Sequence, residues 1–130
     1  MFQIPDTNRL RAILLECAQK EATLDYKSLT AQLGFQPPNS IGQTTALLEA
    51  CQEDDALLEL PQLAAVVIQK SGEPYPRPGF FQKLMQLGVY QGLDNGAAAQ
   101  MWHQNELERV YRYYQLTQNI PTDDLSDQEQ

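Results

Sequence analysis

The chain of 130 residues carries 17 Asp and Glu against 9 Lys and Arg, a formal net charge of −8, with 2 Cys and 1 His. A chain of this length buries about two-thirds of the surface its unfolded form exposes, so folding requires neither a metal nor a disulfide framework. The charge makes the chain a poor general nucleic-acid binder, since such affinity comes from cations that neutralise phosphates, and no apolar run approaches the roughly 20 residues of a membrane span.

In chain order, Asp6 or Thr7 can cap a first helix in which Leu10, Ile13, Leu14 and Cys17 recur at helical spacing. "TLDYKSLTAQLG" offers Thr23 or Asp25 as cap, Leu29 and Leu33 on one face and Gly34 as stop, a short second helix. The paired prolines of "FQPPN" keep the following chain out of helix. Asn39 or Ser40 then opens a third helix with Ile41, Thr45, Leu48 and Cys51 facing inward. "AAVVIQK" has the β-branched character of a strand, and "SGE" supplies turn chemistry.

Pro76 and Pro78 exclude "YPRPGFF" from an interior strand, which leaves an extended arm running into a helix over Phe80 to Leu87 that Gly88 ends. "GAAAQMWHQNELERVYRYYQLTQ" predicts a long last helix with a stripe of Leu107, Val110, Tyr111 and Tyr114 and a Glu108–Arg112 pair across one turn. Residues 119–130 end in "TDDLSDQEQ", which lacks cations and is poor in apolar residues, and read as an acidic disordered tail after a single domain over residues 1–118. The expected class is mainly α with a small β element. Two short helices across a Pro-containing turn, then a strand and a tight turn, give the order of a winged helix-turn-helix, with the long C-terminal helix added.

The segments "LDYKSLTAQLG", "NSIG", "LPQLAAVVIQKSGE" and "FQKLMQLGV" resemble the DNA-binding domain of alkylguanine-DNA alkyltransferases and alkyltransferase-like proteins, over roughly Leu24 to Val89. That family has a Thr/Ser-Tyr pair opening a helix, an Arg-Ala-Val-Gly-like turn into the recognition helix, a Pro-Cys-His-Arg active-site segment and a Gln-x-x-Leu-Leu-x-x-Glu-Gly-Val helix. The resemblance puts Gln62 where the family's alkyl-accepting cysteine stands, Leu63 where its histidine stands and Ala64 where its arginine stands. Neither nucleophile nor base is present for the transfer. The family's intercalating arginine falls near Asn39, and Tyr26 alone is kept from its phosphate-facing pair. The span from Gly42 to Pro61 is several residues longer than in the family and carries five carboxylates.

These substitutions imply a protein that is not an enzyme. His103 is the single histidine, and "EDD" at Glu53 to Asp55 reads as a solvated loop; no metal or cofactor is expected. The first expectation is an acidic protein-interaction module, in the manner of an inhibitor or immunity protein for a basic nucleic-acid-binding partner. Glu49, Glu53, Asp54 and Asp55 would stand in for phosphates, and Tyr75, Arg77 and Phe80 would anchor the contact. The alternative is an alkyltransferase-like DNA binder that recognises DNA or a lesion without catalysis, using Tyr26, Asn39, Gln43, Thr44 and Lys70. The absence of a basic leader, and two cysteines outside any metal spacing, lead to an expected cytoplasmic location.

Overall fold

A computed structural model describes residues 6–69 and 75–119, with side chains as far as Gln115. Among these residues, five helices and a two-stranded parallel sheet make a mainly α fold with a small β element. Helix α1 spans Thr7–Gln19, and the Asp6 carboxylate accepts the backbone N–H of Arg9 at 3.0 Å, which satisfies one otherwise orphaned first-turn donor. Strand β1, Leu24–Asp25, leads directly into α2, Tyr26–Leu33, and Asp25 caps that helix through the Ser28 amide at 2.7 Å. Gly34 ends it at φ 86, a left-handed position where a Cβ is costly.

Helix α3 runs Ser40–Leu57. Its inward face is rotated from the expected one: Thr44, Leu48, Cys51, Gln52 and Asp55 are buried, while Ile41 and Thr45 are half-buried. The helix also continues through Glu53, Asp54 and Asp55, so the expected acidic loop is its penultimate turn. Three of the five buried residues are polar, and an apolar stripe therefore could not mark this face.

A short 3-10 turn, Leu63–Val66, precedes strand β2, Val67–Ile68, which pairs in parallel with β1 through Leu24–Val67 and Asp25–Ile68. The expected strand over "AAVVIQK" is thus reduced to two residues. Ala64, Ala65 and Val66 are buried too deeply between helices to extend a ladder, and the turn contacts α1, α3 and α5 (Gly96–Asn119). Residues 70–74, with Lys70 and the expected Ser71–Gly72 turn, lie outside the described residues. The chain on either side of them is joined where the Gln69 amide donates to the Tyr75 carbonyl at 3.1 Å.

Helix α4, Pro78–Gln86, begins two residues earlier than expected because Pro78 takes its first position, where a missing N–H costs nothing. Phe81, fully buried on this helix, meets Tyr75, Phe80, Tyr90 and Trp102 at ring separations of 5.1 to 6.3 Å. These tilted and edge-on pairs join the arm, α4 and α5 into one aromatic cluster. Helix α5 buries Ala99, His103, Glu106, Val110 and Tyr114, with Leu107 and Tyr111 half-buried. Its ion pair joins Arg109 to Glu106 rather than Arg112 to Glu108. Asn119, the first residue of the expected tail, still belongs to the helix, and the other eleven, 120–130, lie outside the described residues.

Candidate functional site

The segment Gln62–Ala64, where the resemblance puts the family's reactive residues, is 1 to 2 % exposed and held from both sides by buried carboxylates. Asp55 of α3 accepts the Leu63 amide at 3.1 Å with one oxygen and the Arg11 guanidinium at 2.8 Å with the other. Glu106 of α5 accepts the Gln62 amide at 2.7 Å and Arg109 at 2.5 Å. Asp55 is fully buried and Glu106 is 3 % exposed. Burying these charges is tolerable because each carboxylate has both an N–H donor and a cation.

The Gln62 side chain donates to the Gln52 carbonyl at 3.3 Å, and Gln52 donates in turn to the Phe80 carbonyl at 3.0 Å. Cys51 is the thiol nearest in sequence and lies beside this segment, within 3.8 Å of an Asp55 oxygen. Burial first, and the Asp55 charge second, push it up to about 12, so it is held as a thiol rather than the nucleophilic thiolate.

Of the residues expected to make a protein interface, several serve the interior instead. Asp55 is not an outward carboxylate, because α3 turns it onto Arg11 and the Leu63 amide. Tyr75 is 4 % exposed, and its hydroxyl accepts the Gly96 amide at 3.1 Å, so it anchors the arm rather than a partner. Phe80 is 6 % exposed within the aromatic cluster. Glu53 is exposed but bonded to Lys83 at 2.5 Å, Asp54 is exposed, and Glu49 is half-buried at the edge of a cavity.

Of the residues expected to face nucleic acid, Thr44 is fully buried, sharing a 2.7 Å hydrogen bond with Thr30, and cannot reach a ligand. Asn39 is exposed before α3 at φ 62, a left-handed conformation that Asn tolerates better than most residues. Gln43 is exposed, with its side-chain amide donating to the Asn39 carbonyl at 3.4 Å. Tyr26 is 6 % exposed; its hydroxyl accepts the Arg77 amide at 3.0 Å, and the Arg77 guanidinium lies over its ring at 4.3 Å.

This Tyr26–Arg77 contact separates two hollows. One, of about 240 Å³, is walled by Tyr26, Leu48, Ala64 and Phe80, with Glu49 and Gln52 adding polar groups. The other is an open groove of about 630 Å³ between α2, the start of α3 and the arm. Its charged lining residues are Lys27 and Arg77, joined by Tyr26, Phe35, Ser40 and Gln69, and no carboxylate lines it among the described residues. Among the described cations, Arg11, Lys20, Lys83 and Arg109 are bonded to carboxylates and Arg9, Lys27, Arg77 and Arg112 enter no salt bridge; of these four, Lys27 and Arg77 line the groove. Lys27 carries no sequence signal of this role, since an exposed lysine after a helix cap is common anywhere.

No protein-family model matches the sequence, and no curated protein or solved structure matches it. Among the described residues no group of three or more His, Cys, Asp or Glu is placed to hold a metal ion, and no helix is long and apolar enough to cross a membrane.

His103 is 1 % exposed, and its Nε2 meets the Ala65 carbonyl at 2.7 Å, which requires a proton on that nitrogen. Burial lowers its pKa, with the bond to Ala65 opposing. The unfolded chain therefore binds a proton that the folded one refuses. The neutral ring's contribution is complete above the unfolded value of about 6.5 and declines as pH falls below it, by at most about 1.4 kcal/mol per pH unit. Urea unfolding between pH 7.5 and 5.5 should show this decline in the native chain and a flatter profile in His103→Gln. Equal slopes would assign the pH dependence to other groups.

Proposed function

We propose that this chain is a non-enzymatic nucleic-acid-binding protein, with the groove beside α2 and the start of α3 as its binding face. One observation carries this reading: in a chain of net charge −8, two of the four described cations that enter no salt bridge line one groove whose described lining residues include no carboxylate. Phosphates would lie along Lys27 and Arg77, with Asn39, Ser40 and Gln43 offering hydrogen bonds nearby.

The alkyltransferase-like, winged helix-turn-helix reading agrees with this placement, since the groove follows α2 and opens α3. The adjacent apolar hollow, walled by Tyr26, Leu48 and Phe80, suits a base taken out of its stack, and so recognition of a lesion. Catalysis is not part of the proposal, because Gln62, Leu63 and Ala64 supply neither thiolate nor general base. A reducing, cytoplasmic location suits the free thiols of Cys17 and Cys51. The competing reading, an acidic inhibitor or immunity module, loses support with Asp55, Tyr75 and Phe80 committed to the interior.

The test is fluorescence anisotropy with a short duplex, with and without an O6-alkylated guanine, at low and at physiological salt. Binding should weaken steeply with salt, and Lys27→Glu should cost about tenfold in affinity and lower the salt slope by about one or more. Lys27 is exposed, so the variant should keep its melting temperature. No binding at low salt, or equal binding by Lys27→Glu, would reject the groove.

A further inference from the structure

The end of α3 projects two leucines into solvent. Leu57 is 81 % exposed and Leu58 is 64 % exposed, although they are consecutive and large. Glu53 and Asp54 precede them by three to five positions on the same turns, and Glu59 follows. Asp54 and Glu59 are exposed, and neither enters a salt bridge among the described residues, so two free carboxylates border the leucine pair.

The tip is rigidly mounted. On its inner side Asp55 is tied to Arg11 and the Leu63 amide. At its end the Glu59 amide donates to the Ala56 carbonyl at 3.2 Å and the Leu60 amide to the Asp55 carbonyl at 2.8 Å, the paired bonds of a Schellman ending. That ending needs a left-handed residue, and Glu59 occupies it at φ 58, where glycine would be the unstrained choice. A strained backbone, two uncovered leucines and two unpaired carboxylates coincide on one rigid projection. None of these helps the isolated domain, and together they are what a preorganised contact would use.

We propose that Leu57 and Leu58 dock into an apolar pocket of a partner protein whose rim carries Lys or Arg for Asp54 and Glu59. The charges select this occupant. Across a two-fold axis a second copy would set the same carboxylates against each other, and phosphates would be repelled by them. This proposal is independent of the groove, which lies at the other end of α3.

The test is an NMR titration of the isotopically labelled full chain with a synthetic amphipathic peptide of leucines and lysines, and with polylysine as a charge-only probe. Saturable shifts should centre on residues 54–60 with the amphipathic peptide, and polylysine should bind at least about tenfold more weakly. The double variant Leu57→Ser, Leu58→Ser should weaken the peptide by about tenfold or more without lowering the melting temperature, and Lys27→Glu should leave it unchanged. Absence of saturable binding, shifts centred elsewhere, equal binding of polylysine or equal affinity in the double-serine variant would each overturn the proposal. A dimer in sedimentation that the double-serine variant dissolves would overturn it in favour of a second copy.

Discussion

Asp55→Ala should destabilise the fold by about 3 to 5 kcal/mol, the cost of removing one partner from a buried ion pair. Asp55 is fully enclosed and serves three groups at once: the Arg11 guanidinium at 2.8 Å, the Leu63 amide at 3.1 Å and the Cys51 thiol at 3.8 Å. Alanine leaves the amide without its acceptor and a partly buried cation facing a void. The damage would fall on the junction of α1, α3 and the 3-10 turn, where the chain reverses toward β2. Asp54→Ala is the internal control, since its side chain points to solvent and its loss should stay within about 0.5 kcal/mol. Urea unfolding of both variants decides the matter. A change below about 1 kcal/mol for Asp55→Ala would mean that Arg11 and the Leu63 amide find other partners.

Val67→Asp should cost several kcal/mol, because it places a carboxylate with no cation where the side chain is 1 % exposed. Val67 stands at the first position of β2, opposite Leu24 of β1, between the buried run Leu63–Val66 and the half-buried Ile68. The native partners of buried carboxylates here, Arg11 and Arg109, are already taken by Asp55 and Glu106. Protonation would relieve part of the cost, so the deficit should shrink as pH falls toward 5. Thermal unfolding at pH 7 is the direct measurement, and an unchanged melting temperature would remove Val67 from the core.

The two carboxylates also hold the turn into β2 in place. The Gln62–Ala64 segment is enclosed, with the Gln62 amide bonded to Glu106 and the Leu63 amide to Asp55. A side chain placed at Gln62 would therefore have to fit a closed, hydrogen-bonded site.

The helices were legible in the sequence because their signals are local. Asp6 and Asp25 cap through side chains that reach amides three residues on, Gly34 and Gly88 take left-handed positions, and Pro78 can start a helix but not continue one. Burial of Leu10, Ile13, Leu14, Leu29, Leu33 and Val110 followed from spacing alone. Sequence also determined that the Gln62–Ala64 segment has no thiol or imidazole.

Tertiary structure decided where the polar groups went. Asp55 and its neighbour Asp54 are chemically alike and adjacent, yet a 100° step around α3 puts one into the core and the other into water. Glu106 and His103 occupy the inner face of α5 only because the 3-10 turn presents an N–H and a C=O there to receive them. Tyr75 and Phe80 have the composition of interface anchors, but the arm folds back and buries them with Phe81 and Trp102. The parallel pairing of β1 with β2 joins residues more than 40 positions apart, and the Lys27–Arg77 groove joins residues 50 apart. Contacts of that range depend on how helices pack rather than on any local pattern, and so the binding faces emerged only with the fold.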